Sequence, residues 1–232
     1  MRIIAITLAR GGSKGIPKKN MAYLSGKRLI DYTIEEAKKS NLIDRYIVST
    51  DDKEIAEYVS NQGVDVPFIR PAYLASDQAT SADALKHAVE FCEKQENNKY
   101  DLVVELMCTN PFKTSDDIDN CISIFTKNEV DSVIGISRLE EHHPARIKKL
   151  VDGYIRDFAV PENSSRRQDL KPNAYIRNGS IYAISRDKLI KDNYRFGGNK
   201  SLGYVMEEPA NINIDSKLDM QLAELIINQR RK

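Results

Sequence analysis

An α/β fold, built as a mostly parallel sheet with helices on both faces, is predicted by three observations. Strand-like and helix-like segments alternate from the N-terminus to Ile136. The chain has 232 residues, which suits one α/β domain with a small insertion. A long glycine-rich, cationic loop follows the first strand-like run, on the side of a parallel sheet where ligands bind.

The first strand is read at Arg2–Leu8, with an apolar run from Ile3 to Leu8. Helical periods follow at Leu29–Ser40, Lys53–Gln62, Ser81–Glu96 and Ser115–Lys127. Strands are read between them at Tyr46–Ser49, Val66–Ile69, Leu102–Leu106 and Ser132–Ile136. Ser81 or Thr80 caps the third helix, Ser115 opens the fourth, and Gly63 ends the second. From Arg138 to Arg177 the chain is polar and irregular, too long for a plain loop in a compact domain. That stretch is expected to be an excursion: a lid, a β-hairpin arm or a dimerisation element. Strand character resumes at Ile181–Ile184 and Leu202–Met206, and Lys217–Gln229 closes the chain as a helix. Its apolar face is read as Leu218, Leu222, Leu225 and Ile226. No linker divides the chain, so residues 1–232 are expected to form a single domain with 138–177 inserted.

The formal net charge is +1, so no nucleic acid is expected as partner. Three cysteines without a CxxC spacing suggest reduced thiols. No apolar stretch nears the ~18–20 residues of a membrane span, and the N-terminus lacks a signal-peptide plan. A cytoplasmic protein off the membrane is expected.

The chemistry concentrates in Leu8–Asn20, LARGGSKGIPKKN. Gly11, Gly12 and Gly15 let backbone approach a ligand closely. Freed amides, with Arg10, Lys14, Lys18 and Lys19, form a site for several phosphate oxygens. Neither the Walker A nor the dinucleotide glycine spacing is present. Asp51-Asp52 is read mainly as the cap of the second helix. Arg70 to Ser81 combines a cation, a proline and several hydroxyls, which suits either base and ribose recognition or an ordinary loop. Met107 is expected to line a wall, while Thr109 and Asn110 offer hydrogen bonds near a substrate. Asp215 is a hard carboxylate suited to Mg²⁺ or, equally, to helix capping. His142-His143 lacks further ligands at zinc spacing.

Together these segments resemble the acylneuraminate cytidylyltransferases, which use CTP and an acidic nine-carbon sugar and release pyrophosphate. Besides LARGGSKGIPKKN, the matches are IVSTDDKEIAEY, RPAYLASDQATSADALKHA, EEHHPARIKKL, NGSIYAIS and NINIDSKLDMQLAE, in the family's order. The resemblance implies a Rossmann-like sheet of the nucleotide-diphospho-sugar transferase type. It implies that Ala9, Arg10, Gly11, Ser13, Lys19 and Asn20 bind the triphosphate, with Arg10, Lys19 and Asp215 as catalytic residues. Arg70, Ser76 and Ser81 are placed at cytidine and ribose. It further implies Mg²⁺ on Asp215 with Asn213 beside it, and a homodimer formed through the excursion, where Arg166 or Arg167 meets a sugar carboxylate.

The departures lie on the acceptor side. The family's LLQPTSP is LMCTNPF here, so Met107 replaces a sugar-contacting Gln. Its DID is Asn213-Ile214-Asp215, and its Arg-Pro-Asn-Gly is Ile176-Arg177-Asn178-Gly179, which shifts the sugar contact to Arg177 and Asn178 or removes it. A sugar other than plain N-acetylneuraminate is therefore expected. The alternatives are another sugar nucleotidyltransferase, with a different keto acid or a different triphosphate and a sugar phosphate, and a nucleotide-binding protein without catalysis.

Overall fold

The computed structural model describes residues 1–13, 15–139, 142–164, 166–197 and 199–230; Lys14, expected at a phosphate, lies outside them. In chain order the elements are β1 (Ile3–Leu8), β2 (Tyr23–Leu24), β3 (Lys27–Arg28), α1 (Leu29–Lys39), β4 (Arg45–Ser49), α2 (Lys53–Asn61), α3 (Ser81–Glu96) and β5 (Leu102–Leu106). Next come α4 (Ser115–Lys127), β6 (Ser132–Leu139), β7 (Lys148–Val151), β8 (Tyr154–Asp157), β9 (Ala174–Ser185), α5 (Arg186–Asp192), β10 (Ser201–Val205) and α6 (Lys217–Arg230).

The central sheet has the order β10-β6-β9-β5-β1-β4. The pairs β1–β4, β1–β5 and β6–β10 are parallel, while β9 runs antiparallel between β5 and β6. Side-chain alternation sorts the core into two layers. Ile3 and Ala5 of β1, with Leu102, Val104 and Leu106 of β5, meet Ile118, Cys121 and Ile122 of α4. Ile4, Ile6 and Val103 face the other way, onto Ala82, Leu85, Ala88 and Val89 of α3. Both layers are sealed from water, which is why these strands are continuously apolar.

Val66–Ile69 is not a strand. It makes only isolated bridges, Ile47 to Asp65 and Thr50 to Ile69, because Pro67 within it has no N–H to give to a ladder. Thr80, one of the two expected caps, caps α3, and α4 opens at Ser115 as expected with Thr114 as its cap; the Thr114 hydroxyl accepts from Asp117 N–H and the Asp117 carboxylate accepts from Thr114 N–H. Asp52 caps α2 as expected. Helix α6 is rotated from its predicted face: Ala223 and Ile227 are buried against Leu24, Leu29 and Ile214, and of the predicted residues Ile226 packs against this cluster while Leu218, Leu222 and Leu225 are exposed.

The excursion is an arm. Strands β6 and β9 run on past the sheet as a ribbon, pairing Ser137 with Ile176 and Leu139 with Ala174. Beyond it, β7 and β8 form a hairpin through Asp152-Gly153, both with positive φ. Among the described residues no helix is long and apolar enough to cross a membrane.

Candidate active site

The site is assembled from the ends of β1, β4 and β5 and the chain entering α6. After β1 the backbone is pinned: Ala9 N–H donates to Ser49 O (3.0 Å), Gly11 N–H donates to Asp51 Oδ1 (3.1 Å), and buried Asn20 donates its Nδ2–H to Arg10 O (3.1 Å). The amides of Ala9 and Gly11 are therefore engaged within the protein. The loop's cations stand beside them. The Arg10 guanidinium reaches Asp77 Oδ1 at 3.2 Å and is 39% exposed. Lys19 bridges Ile214 O and Asp215 Oδ1, each at 2.8 Å, which ties the loop to the Asn213–Asp215 segment.

The glycines are there for close approach. A Cβ on Gly15 would lie 2.5 Å from Asp215 O, and one on Gly11 would lie 2.6 Å from Asp52 Oδ2. We expect Gly11→Ala to displace the Asp52 cap, costing about 1 kcal/mol of stability and weakening CTP binding; thermal unfolding and titration calorimetry check both.

Arg70 is buried under the same loop. It donates Nη2–H to Ser49 O (2.6 Å), while its Nε is buried without a partner. Burial pushes its pKa below the ordinary guanidinium value, Asp51 opposes this and Arg10 adds to it. Two joined cavities open here. One, of about 340 Å³, is lined by Arg10, Arg70, Ser76, Ser81, Glu105 and Met107. The other, of about 470 Å³, is lined by Arg10, Ser13, Lys19, Thr109, Asn213 and Asp215. Arg10, Asn20, Met107 and Thr109 border both. Thr109 Oγ1 and Asn213 Oδ1 are buried there without hydrogen-bond partners. Among the described residues no three His, Cys, Asp or Glu side chains come together as a metal cage.

A profile for the family described as cytidylyltransferase matches residues 4–210. The chain belongs to this family. The N-acylneuraminate cytidylyltransferase of Streptococcus agalactiae serotype V is 34% identical across 94% of this chain, which spans about half (52%) of that protein's length. The pseudaminic acid cytidylyltransferase of Campylobacter jejuni subsp. jejuni serotype O:2 is 30% identical across 97% of this chain and 96% of that one. A solved CMP:2-keto-3-deoxy-manno-octonic acid synthetase complexed with CTP shares the fold, with a TM-score of 0.72 at 16% identity over 99% of this chain and 100% of that chain.

In this cytidylyltransferase several expected sugar residues stand apart from the joined cavities. Asn110 is fully buried, its amide spent on Asn178 O, Ala210 O and Phe112 N–H. Asn178 donates to Ser137 Oγ and Met206 Sδ. Arg166 sits on the arm, paired with Asp169 at 2.6 Å; the Arg167 side chain lies outside the described residues. Arg177, at the arm's base, stacks on Phe196 with its guanidinium 3.8 Å from the ring centre. Ser76 lines the first cavity while donating to Tyr73 O.

Glu105 was missed from the sequence. Its carboxylate is buried in the cavity floor and takes two bonds from Arg195, at 2.7 and 2.9 Å. Arg195 in turn lies over Tyr182 and Phe196. Burial works against its charge, but Glu105 outweighs burial and holds its pKa above the ordinary value. The available signal was a carboxylate inside the apolar run Leu-Val-Val-Glu-Leu, where a charge is rare unless paired.

Proposed function

We propose that this enzyme transfers CMP from CTP to the anomeric hydroxyl of a sialic-acid-like nonulosonic acid, releasing pyrophosphate. The observation that carries this reading is the pair of joined cavities, one bordered by Arg70, Ser76 and Ser81 and the other by Lys19 and Asp215, with Arg10 between them. A nucleoside fits the first and its phosphates the second. The sugar hydroxyl oxygen forms a bond to the α-phosphorus, the bond to the β-phosphate's bridging oxygen breaks, and the hydroxyl proton leaves to solvent. Such a step needs positioning and charge neutralisation, supplied by Arg10 and Lys19 on the departing pyrophosphate.

The residues fit Mg²⁺, which binds through one or two carboxylates together with substrate phosphates rather than in a protein cage. Asp215 offers a carboxylate that is 68% exposed, and the orphaned Asn213 Oδ1 is a neutral oxygen beside it. When bound, Mg²⁺ polarises the α-phosphate oxygens. Met107, on the wall shared by both cavities in place of the family's sugar-contacting Gln, favours an acceptor other than plain N-acetylneuraminate. Pyrophosphate release, screened over four nucleotides and a panel of nonulosonic acids, tests the reading; release with CTP and one such acid is expected, and no release with any pair refutes it.

We further propose that the arm makes a homodimer. Leu150 (75% exposed), Ile155 (67%), Tyr154 (65%) and Phe158 (62%) give it an apolar surface with nothing over it in the single chain. Light scattering on a sizing column is expected to give twice the chain mass, and Ile155→Asp to halve it; a wild-type monomer refutes this. All three thiols are buried and unpaired, in keeping with a cytoplasmic location.

A further inference from the structure

We propose that Lys113 is a positioning residue for nucleotidyl transfer, clamping the turn after β5 and thereby fixing where Asp215 stands. The proposal rests on the transfer reaction described above. Lys113 is 2% exposed, among the most buried large side chains of the protein. Its amine has three acceptors: Thr33 Oγ1 of α1 at 2.8 Å, Met107 O at 2.7 Å, and Asn110 O. An ammonium has three N–H groups, so the set is matched one to one, with no carboxylate among the acceptors.

The clamped turn carries Met107 and Thr109, which border both cavities. It also reaches the far wall, because Ile214 N–H donates to Thr109 O at 2.7 Å. Ile214 O is in turn an acceptor for Lys19, whose amine also holds Asp215 Oδ1. A continuous chain of bonds therefore runs from the Lys113 amine through the turn to the Asp215 carboxylate. A lysine this deep is costly to charge, and burial lowers its pKa to about 8.

The groups facing it are the Cys108 thiol, Glu36 of α1 and Asp117 of α4. Lys27, Glu35 and Arg230 line a cavity of about 290 Å³ that Lys113 also borders. The Cys108 thiol is pushed up to about 12 by burial and stays neutral at pH 8. Below about pH 8 the ammonium fills all three acceptors; above it the neutral amine donates only two N–H groups and keeps Thr33 Oγ1 only by accepting the hydroxyl proton that Thr33 otherwise gives to Met107 O, so the clamp weakens.

The test compares wild type with Lys113→Met and Lys113→Arg, each first checked for folding by circular dichroism. The wild-type kcat is expected to fall as pH rises through about 8. Lys113→Met should lose about 10- to 100-fold in kcat at pH 7, with the KM for CTP nearly unchanged. Lys113→Arg stays charged throughout and should keep activity at pH 7 while losing the alkaline fall. Hydrogen exchange at the Ile214 amide should quicken in Lys113→Met, a readout that needs no turnover and so separates failure of the clamp from failure of the reaction assignment. Wild-type kcat in a folded Lys113→Met, unchanged Ile214 exchange in that variant, or an alkaline fall persisting in Lys113→Arg would each overturn the proposal. Should Lys113→Met not fold, the arginine profile decides.

Discussion

Asp215→Ala is expected to remove Mg²⁺-dependent pyrophosphate release, by about 10³-fold or more, because a metal's stabilisation of transition-state charge amounts to several kcal/mol. The carboxylate is mostly exposed, and its only direct partners among the described side chains are Lys19 and Asn213. Lys19 keeps its second bond, to Ile214 O, when Asp215 is truncated. Folding should therefore be spared, and an unfolding midpoint close to wild type is part of the expected result. CTP binding without metal should survive or strengthen, since a negative charge beside the phosphates has gone. Retained turnover at saturating Mg²⁺ would place the metal carboxylate elsewhere.

Arg10→Ala is expected to lower kcat/KM for CTP by roughly 10²-fold, the loss of at least two charge-assisted hydrogen bonds to phosphate. Its ion pair with Asp77 is exposed on both sides, so the pair adds little to stability. Arg10→Lys keeps the charge but not the planar fork and should recover only part of the loss. Steady-state kinetics with CTP varied at fixed acceptor measures both; wild-type kcat/KM in Arg10→Ala would contradict the assignment of the loop to the triphosphate.

Where local chemistry and tertiary demand agree, the sequence is readable to the residue. The spans predicted for the third and fourth helices and for Leu102–Leu106 are those observed for α3, α4 and β5, because apolar period and capping residues point the same way. The reading fails where a neighbour decides. The α6 leucines were assigned to the core by periodicity, yet the small Ala223 lets the helix pack closely by a rotated face. The arm was expected only as a lid, a hairpin arm or a dimerisation element; the continuation of β6 and β9 into it depends on pairing between segments far apart in sequence. In the site, Arg10 and Lys19 of the loop and Asn213 and Asp215, which only the family resemblance had linked to it, line one cavity. Asn110 was read as a substrate contact because it is polar and follows a strand, and Asn178 because the family resemblance implies it; the amides of both bond to groups in the interior. Lys113 gave no periodic signal at all, since its role comes from three oxygens that only the folded turn collects.

The placement of β9 between β5 and β6 bears on how the polypeptide can be divided. A single protease cut at the Asp152-Gly153 tip separates β1, β4, β5 and β6 from β9 and β10 in covalent terms. Each piece is then left with open sheet edges that only the other piece can zip shut, since β9 is hydrogen-bonded on both flanks and β10 on one. The nicked halves should co-purify as one particle, and separately expressed fragments should reconstitute it, which makes the tip a natural place to split the enzyme into a complementing pair.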